Sequence, residues 1–370
     1  MRIAFDHKIF GQTHGGISRY FNQLVNGLID EGQKVGVFAP FYLNNDLKLL
    51  PANNVHGKHL KRYPPKLSRI FSLYNSFVSR HQISRWQPDL VHETFYSKIA
   101  SAPKHTPTVI TVYDMIHELF VDEFPTRNDL VIKKNSINRA DHIICISEST
   151  KNDLVHLYGM SDKKISVVHL GFNRFGKADE KLNETLNIAK PFLLYVGYRW
   201  GYKNFSGFLK AMASSSRLMS DFDVVAFGIA KFSNNELNLI NSLGFKRHQV
   251  RNVCGGDGLL GQYYRNARAF VYPSLYEGFG MPPLEAMAHS CPVISSNTSS
   301  MPEVIGSAAE FFNPSSSQEI RAAIESVVYS DSRIIELKKI GLERLNQFSW
   351  TKCTHQTLEV YRTVTGKSYE

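Results

Sequence analysis

Short runs of branched apolar residues recur along this chain, and between them apolar positions return every three or four residues. Residues 2–5 (RIAF) form the first run, and beyond it Phe21, Leu24, Val25 and Leu28 fall on one helical face. Further runs predict strands at 35–38, 90–92, 108–112, 142–146 and 164–173, with Ser147 or Ser149 capping the helix after residue 146. A second series begins at 192–196 (FLLYV), apolar throughout, as a strand covered on both faces of a parallel sheet must be. It continues at 223–228, 250–254, 269–273 and 292–295. Strands alternating with helices predict an α/β chain whose parallel sheets take ligands at their carboxyl edges. Between the series, 174–190 (RFGKADEKLNETLNIAK) is charged and poor in branched apolar residues, which marks a boundary. The expected division is 1–175, 176–350 and a closing helix in 351–370. That helix carries Leu358, Tyr361 and Val364 on one face and is capped by Ser349 or Thr351.

Composition changes this picture little. Hydrophobic residues at 43% and charged residues at 21% are those of a soluble globular chain, and 370 residues exceed one ordinary core. No apolar run approaches the roughly 18 residues of a membrane span, and the start MRIAFDHKIF lacks a signal-peptide core, so a cytoplasmic protein is expected. Cys145, Cys254, Cys291 and Cys353 are far apart without a CxxC pair. The first three have apolar neighbours, which predicts reduced, buried thiols. None of the 14 His residues forms an HExxH motif, so no metal is expected.

Charge changes it more. The formal net charge of +10 is concentrated: residues 48–104 hold ten basic residues against Asp89 and Glu93. Phe71, Leu73, Tyr74, Phe77 and Val78 lie among them, which suits either a surface for anionic lipid headgroups or the solvated face of an ordinary helix. No nucleic-acid motif accompanies the charge, so no nucleic-acid partner is expected.

Candidate chemistry gathers in 267–295 (ARAFVYPSLYEGFGMPPLEAMAHSCPVIS), which reads as strand, glycine turn, helix, strand. Pro282 and Pro283 mark a helix start. The amides of Gly278, Phe279, Gly280 and Met281 would converge at its positive end, where a phosphate or hydroxyl fits. Glu277 on the turn and Glu285 in the helix's first turn would add two acceptors for a polyol.

The string YEGFGMPPLEAMAHSCPVISSNTSSMPEVIG (276–306) closely resembles the signature of family 4 of the retaining glycosyltransferases. The resemblance implies the GT-B fold, two Rossmann-like doubly wound domains facing a cleft, and a nucleotide diphosphate sugar as donor substrate with no cofactor or metal. It places Glu277 by the donor sugar, Glu285 on the nucleotide ribose, and Gly15 and Gly16 against the donor phosphates. In YVGYRWGYKN (195–204), Lys203 matches the family's diphosphate-binding lysine, and Arg199 stands as the second cation by displacement. Gly255 and Gly256 match the turn that lines the nucleobase pocket.

TVYDMIHELFVDEFP (111–125) departs from the commoner pattern, with Tyr113 where many members carry His. Asp114 would orient or deprotonate the acceptor hydroxyl, and His117 would replace the missing imidazole. GGISRY with VYDMIHELF resembles bacterial O-antigen and lipopolysaccharide mannosyltransferases. That implies a GDP-mannose-type donor, a glycan or lipid-linked glycan acceptor, and work at the inner face of the membrane. Rival readings are a sugar-nucleotide epimerase or phosphorylase of the same fold, an NAD-dependent dehydrogenase, and a non-enzymatic anionic membrane binder. Gly256, Gly258 and Gly261 do spell GxGxxG, but in the middle of the second domain, where a dinucleotide fingerprint does not belong.

Overall fold

The computed structural model describes residues 1–124, 127–172 and 190–367. Pro125, Asn173 and all of the expected boundary 174–190 except Lys190 lie outside the described residues. The chain forms two compact units, Met1–Gly171 with Ser349–Glu370, and Phe172–Phe348.

In the first unit β1 (Arg2–Phe5), β2 (Lys34–Tyr42), β3 (Val55–His59), β4 (Leu90–Glu93), β5 (Thr108–Val112), β6 (His142–Cys145) and β7 (Ile165–Val167) make a seven-stranded sheet. All its pairings are parallel, in the order β3-β2-β1-β4-β5-β6-β7. β1 lies inside the sheet with Ile3, Ala4 and Phe5 fully buried. Helix α1 (Gly16–Asp30) buries Tyr20, Phe21, Leu24, Val25 and Leu28, the face expected from its periodicity. It begins at Gly16 with Gly15 as its N-cap, so ISRY already lies in its first turns.

The last helix, Trp350–Thr365, packs on α1 so closely that a Cβ at Gly27 would stand 2.3 Å from Thr354 Oγ1. Ser349 is its cap, accepting from the Lys352 amide. Its Tyr361 hydroxyl lies 2.5 Å from His92 Nδ1, and His92 Nε2 lies 2.9 Å from Thr111 Oγ1. Burial pushes the His92 imidazole down to about 3, so it sits neutral in this network.

In the second unit β8 (Phe192–Val196), β9 (Asp223–Phe227), β10 (Val250–Val253), β11 (Ala269–Tyr272), β12 (Val293–Ser296) and β13 (Ala309–Phe312) form a parallel six-stranded sheet, ordered β10-β9-β8-β11-β12-β13. Its core packs Phe205, Phe208, Leu209 and Met212 of the Phe205–Ala213 helix against Leu193, Val224 and Val271.

Two expectations need correction. β3 stands in the basic stretch, where 90–92 was the one strand expected, and helix α2 (Ser68–Trp86) supplies the helix left open there. β3 is hard to foresee because its pattern, VHGKH, is mostly polar; Gly57 is required there, since a Cβ would fall 1.7 Å from the Ala39 carbonyl oxygen. Cys254 is exposed at a strand end, whereas Cys145, Cys291 and Cys353 are buried, the last two pushed up to about 12 by burial. Of the two serines expected to cap the Glu148–Tyr158 helix, Ser147 is the one in place, accepting from the Thr150 amide.

Candidate functional site

Both sheets have the strand order in which the chain reverses its direction of growth beside its first strand. At such a point adjacent loops part above the carboxyl edge and leave room for a ligand. In the second unit the point lies between β8 and β11. Lys203 follows β8 and Glu277 follows β11. Lys203 Nζ reaches both carboxylate oxygens of Glu277, at 2.7 and 2.9 Å. Their side chains are only 16% and 9% exposed, so the pair is largely removed from water. Such a pair offsets its desolvation cost only with further support.

That support comes from several elements. The Leu275 amide donates to the Tyr202 carbonyl at 2.7 Å, tying the two loops. The Glu277 amide donates to Ser299 Oγ at 2.8 Å, and Ser300 Oγ donates to the carbonyls of Glu277 and Phe279. Below lies Tyr272, whose phenol is pushed well above its usual range by burial first and by Glu277 next. Gly280 turns the chain at φ 99°, and a Cβ there would meet Met301 Cε at 2.5 Å, so only glycine fits.

The Met281–Ala288 helix then starts with Pro at its second and third positions. Neither proline has an amide hydrogen, so the first donors of this helix are Met281 and Leu284. Gly278 and Phe279 are buried in the turn, Met281 is half-buried, and Gly280 and Met281 close the turn onto the helix. Glu285 is the fifth residue of the helix, not part of its first turn. Half-buried, its carboxylate accepts from the Tyr264 hydroxyl at 3.3 Å.

Arg199 and Lys203 differ in their surroundings. The Arg199 guanidinium is buried, 2.7 Å from Glu236 and donating to the carbonyls of Ala230 and Lys231. Burial alone would raise the Glu236 carboxyl, but the hydrogen bonds from Arg199 and Ser233 hold it below its usual range. Arg199 thus fixes the loop after β9. Asn204 precedes the Phe205–Ala213 helix in left-handed backbone and does not cap it by its side chain; its Nδ2 donates to the Pro273 and Pro314 carbonyls. Gly255 and Gly256 are exposed ahead of the Asp257–Asn266 helix, whose body includes Gly258 and Gly261.

In the first unit the corresponding point lies between β1 and β4. Asp6 there is fully buried and accepts from the Thr94 amide at 3.0 Å and from Ser101 Oγ at 2.5 Å. Glu93 accepts from the Ser101 amide at 2.8 Å and from Arg139 at 2.6 Å, and burial, then Asp6, raises its carboxyl. His7 is buried with neither ring nitrogen partnered, and burial lowers it to about 4. Gly15 is half-buried and Gly16 exposed, and a Cβ at Gly16 would meet nothing within 4 Å. Asp114 accepts from the Ile116 amide at 3.1 Å, while His117 is exposed and its ring lies 4.2 Å from that of Phe124. The structure therefore brings together Lys203, Glu277 and the 278–281 turn; Glu285 lies one helical turn on.

Sequence reasoning did not single out Ser299, Ser300 or Tyr272, nor Tyr198 and Trp200, which are 63% and 50% exposed on the Lys203 loop. The two serines stand in the quoted string SSNTSSMPEVIG, but nothing in their spacing tells that they brace a turn 22 residues earlier. Among the described residues no group of three or more His, Cys, Asp and Glu side chains is placed to hold a metal ion.

The sequence model described as Glycosyltransferase Family 4 matches residues 14–174, and that described as Glycosyl transferases group 1 matches 177–341. O-antigen chain mannosyltransferase B of Escherichia coli is 29% identical over 238 residues, 61% of this chain and 62% of that protein. The serotype-specific mannosyltransferase WbdA of Escherichia coli is 28% identical over 279 residues, 71% of this chain but 34% of its own length. The chain thus spans less than two thirds of the length of these curated relatives. Among solved structures, sucrose-phosphate synthase from Thermosynechococcus elongatus matches with a TM-score of 0.76 at 20% identity, over 100% of both chains. Anabaena HepE in complex with UDP and glucose matches at 0.72 and 18% identity, over 98% of this chain and 100% of that one. These likenesses show the fold, GT-B.

Proposed function

This chain belongs to the glycosyltransferases that join a Family 4 domain to a group 1 domain, and we propose that it moves a mannose-type hexosyl group from a nucleotide diphosphate sugar, GDP-mannose by preference, to a glycan hydroxyl. Transfer proceeds with retention at the anomeric carbon, without an enzyme nucleophile or a metal. The product belongs to lipopolysaccharide O-antigen or a similar surface polysaccharide, and the acceptor glycan is carried on a lipid at an anionic membrane face. The mannosyl preference is supported by relatives named as mannosyltransferases.

One observation carries the reading: the Lys203–Glu277 ion pair spans the two loops that part at the β8/β11 reversal. A diphosphate arriving there competes with Glu277 for the ammonium, and Lys203 then neutralises the charge that grows as the sugar leaves. Glu277, released from its cation, accepts hydrogen bonds from sugar hydroxyls, while the amides of Gly280 and Met281 face the same group from the helix start. Glu285 takes the ribose hydroxyls, and the exposed turn at Gly255 and Gly256 faces the base. Arg199 serves by positioning, through Glu236 and the loop carbonyls. At the acceptor, Asp114 and His117 are the groups that orient the hydroxyl, and the departing phosphate oxygen takes its proton. Binding and orientation supply most of the rate.

The test is a panel of nucleotide sugars assayed for donor hydrolysis and for transfer. GDP-mannose should turn over fastest. Preference for a uridine donor would overturn the choice of donor, and turnover of none, with stabilisation by NAD, would overturn the reaction.

A further inference from the structure

Helix α2 carries apolar side chains on both of its sides: Ile83, Phe71 and Trp86 pack toward the sheet, the last two on Phe41 and Phe38. The residues it buries are Asn75, Ser76, Ser79 and Ile83, three of them polar. Asn75 clamps β2, its Oδ1 accepting from the Phe41 amide at 2.9 Å and its Nδ2 donating to the Phe41 carbonyl at 2.8 Å. Ser76 Oγ accepts from Lys8 Nζ at 2.9 Å and donates to the Ser72 carbonyl at 2.8 Å. On the opposite side Ile70, Leu73, Tyr74 and Phe77 are 60%, 56%, 49% and 65% exposed. Their spacing of i, i+3, i+4 and i+7 makes one continuous stripe, which Leu67 extends beyond the helix start. An ordinary surface helix turns polar residues to water, whereas this one adds a second apolar stripe on the side away from the sheet. A contiguous exposed apolar strip of this kind marks an interaction surface.

Charge selects the partner. Between Asp46 and Asp89 there is no acidic residue, while Lys48, Lys58, Lys61, Arg62, Lys66, Arg69, Arg80 and Arg85 lie there. At about 100° per residue Arg69 and Arg80 flank the stripe on one side, and His81 and Arg85 continue it toward the helix end. All four are exposed, and among the described residues no ion pair engages Arg69, Arg80 or Arg85. A cationic rim around an apolar strip, on a helix whose far side is anchored to the sheet, fits a surface that is anionic outside and apolar beneath.

We propose that α2 is a docking face for an anionic lipid bilayer, with Ile70, Leu73 and Phe77 entering the boundary between headgroups and acyl chains and Arg69, Arg80 and Arg85 lying on the phosphates. The purpose of this contact rests on the lipid-carried acceptor proposed above, but its existence does not. The whole chain is sedimented with vesicles of phosphatidylcholine alone and of phosphatidylcholine mixed with phosphatidylglycerol. Wild type should partition to the mixed vesicles and not to the neutral ones. Leu73→Glu with Phe77→Glu should lower that partition about tenfold or more, at any salt concentration. Arg69→Ala with Arg80→Ala should lower it mainly at low ionic strength.

Because all four side chains are exposed, Tm should not change, and donor hydrolysis measured without vesicles should stay at the wild-type rate. Equal partition of the Leu73/Phe77 variant and wild type would overturn the proposal, as would failure of wild type to bind either vesicle. Concentration-dependent dimerisation that Phe77→Glu abolishes would also overturn it, by making a second copy the occupant. Vesicle binding with no donor turnover would leave this surface standing and remove the transferase reading instead.

Discussion

The two strand-reversal points of this molecule are built to the same order and furnished in opposite ways. Between β1 and β4 every carboxylate is spoken for: Asp6 by Thr94 and Ser101, Glu93 by Ser101 and Arg139, all under cover of the protein. Between β8 and β11 a single lysine and a single glutamate from two loops face one another at the edge of a glycine turn. The first arrangement ties down loops; the second holds together two charges that a ligand can separate. The difference teaches that strand order supplies the place, while the loops' freedom to exchange partners supplies the chemistry.

The contrast can be broken most forcibly at Lys203. Lys203→Met leaves Glu277 buried without its cation, which costs about 3–5 kcal/mol of stability. Donor turnover should fall by about 10²–10³-fold, as when a group that stabilises developing charge is removed. Calorimetry and initial rates measure the two effects. If turnover survives, the second reversal point is as structural as the first.

Gly280→Ala comes next. Its positive φ and the Met301 contact should lower stability by about 1–3 kcal/mol, read as a fall in Tm. Asp6→Asn should cost about 1–3 kcal/mol, because an amide cannot accept everything the carboxylate does. The rate per folded molecule should stay at the wild-type value; a loss of kcat without a loss of Tm would make the first reversal point part of the machinery.

Acidification separates the units more gently. His7 and His92 are held neutral, near 4 and 3, against 6.5 in the unfolded chain. Between those values the unfolded state binds more protons, so their contribution is complete above about pH 6.5 and is lost as the pH falls toward 4. Glu93, pushed up by burial, opposes this slope. The measure is therefore the difference between wild type and His92→Gln, whose Tm should fall less steeply with acid. The smallest change is expected from Gly16→Ala, where a methyl meets open space. Stability should hold or rise by about 0.4–1 kcal/mol, and a raised donor KM would place phosphates beside α1.

Much of the architecture is legible in the sequence because apolar runs and helical spacing report burial directly. Residues 192–196 and the face of Phe21, Leu24, Val25 and Leu28 are cases in which local pattern and tertiary environment agree. β3 and the inward side of helix α2 escaped because there they disagree: α2 turns two serines and an asparagine inward, and β3 alternates His and Lys around a glycine. At the site, Glu277, Lys203 and Gly280 were readable from residue type beside a strand end. What could not be read was partnership. Nothing local tells that Arg199 is taken up by Glu236, 37 positions away, or that Ser299 braces the turn. Cys254 misled for a related reason, since apolar neighbours in a strand say nothing of the residue at its tip.

The closing helix follows the second unit in the chain yet completes the first. Its Tyr361 sits against His92, and its Thr354 fills the notch at Gly27, so the first unit is made of both ends of the chain. On the ribosome, residues 172–348 are complete before the segment that finishes their predecessor has been synthesised. The unit whose residues lead in the sequence is thus the later of the two to mature, and a chain cut after Phe348 would join a finished second unit to an unfinished first.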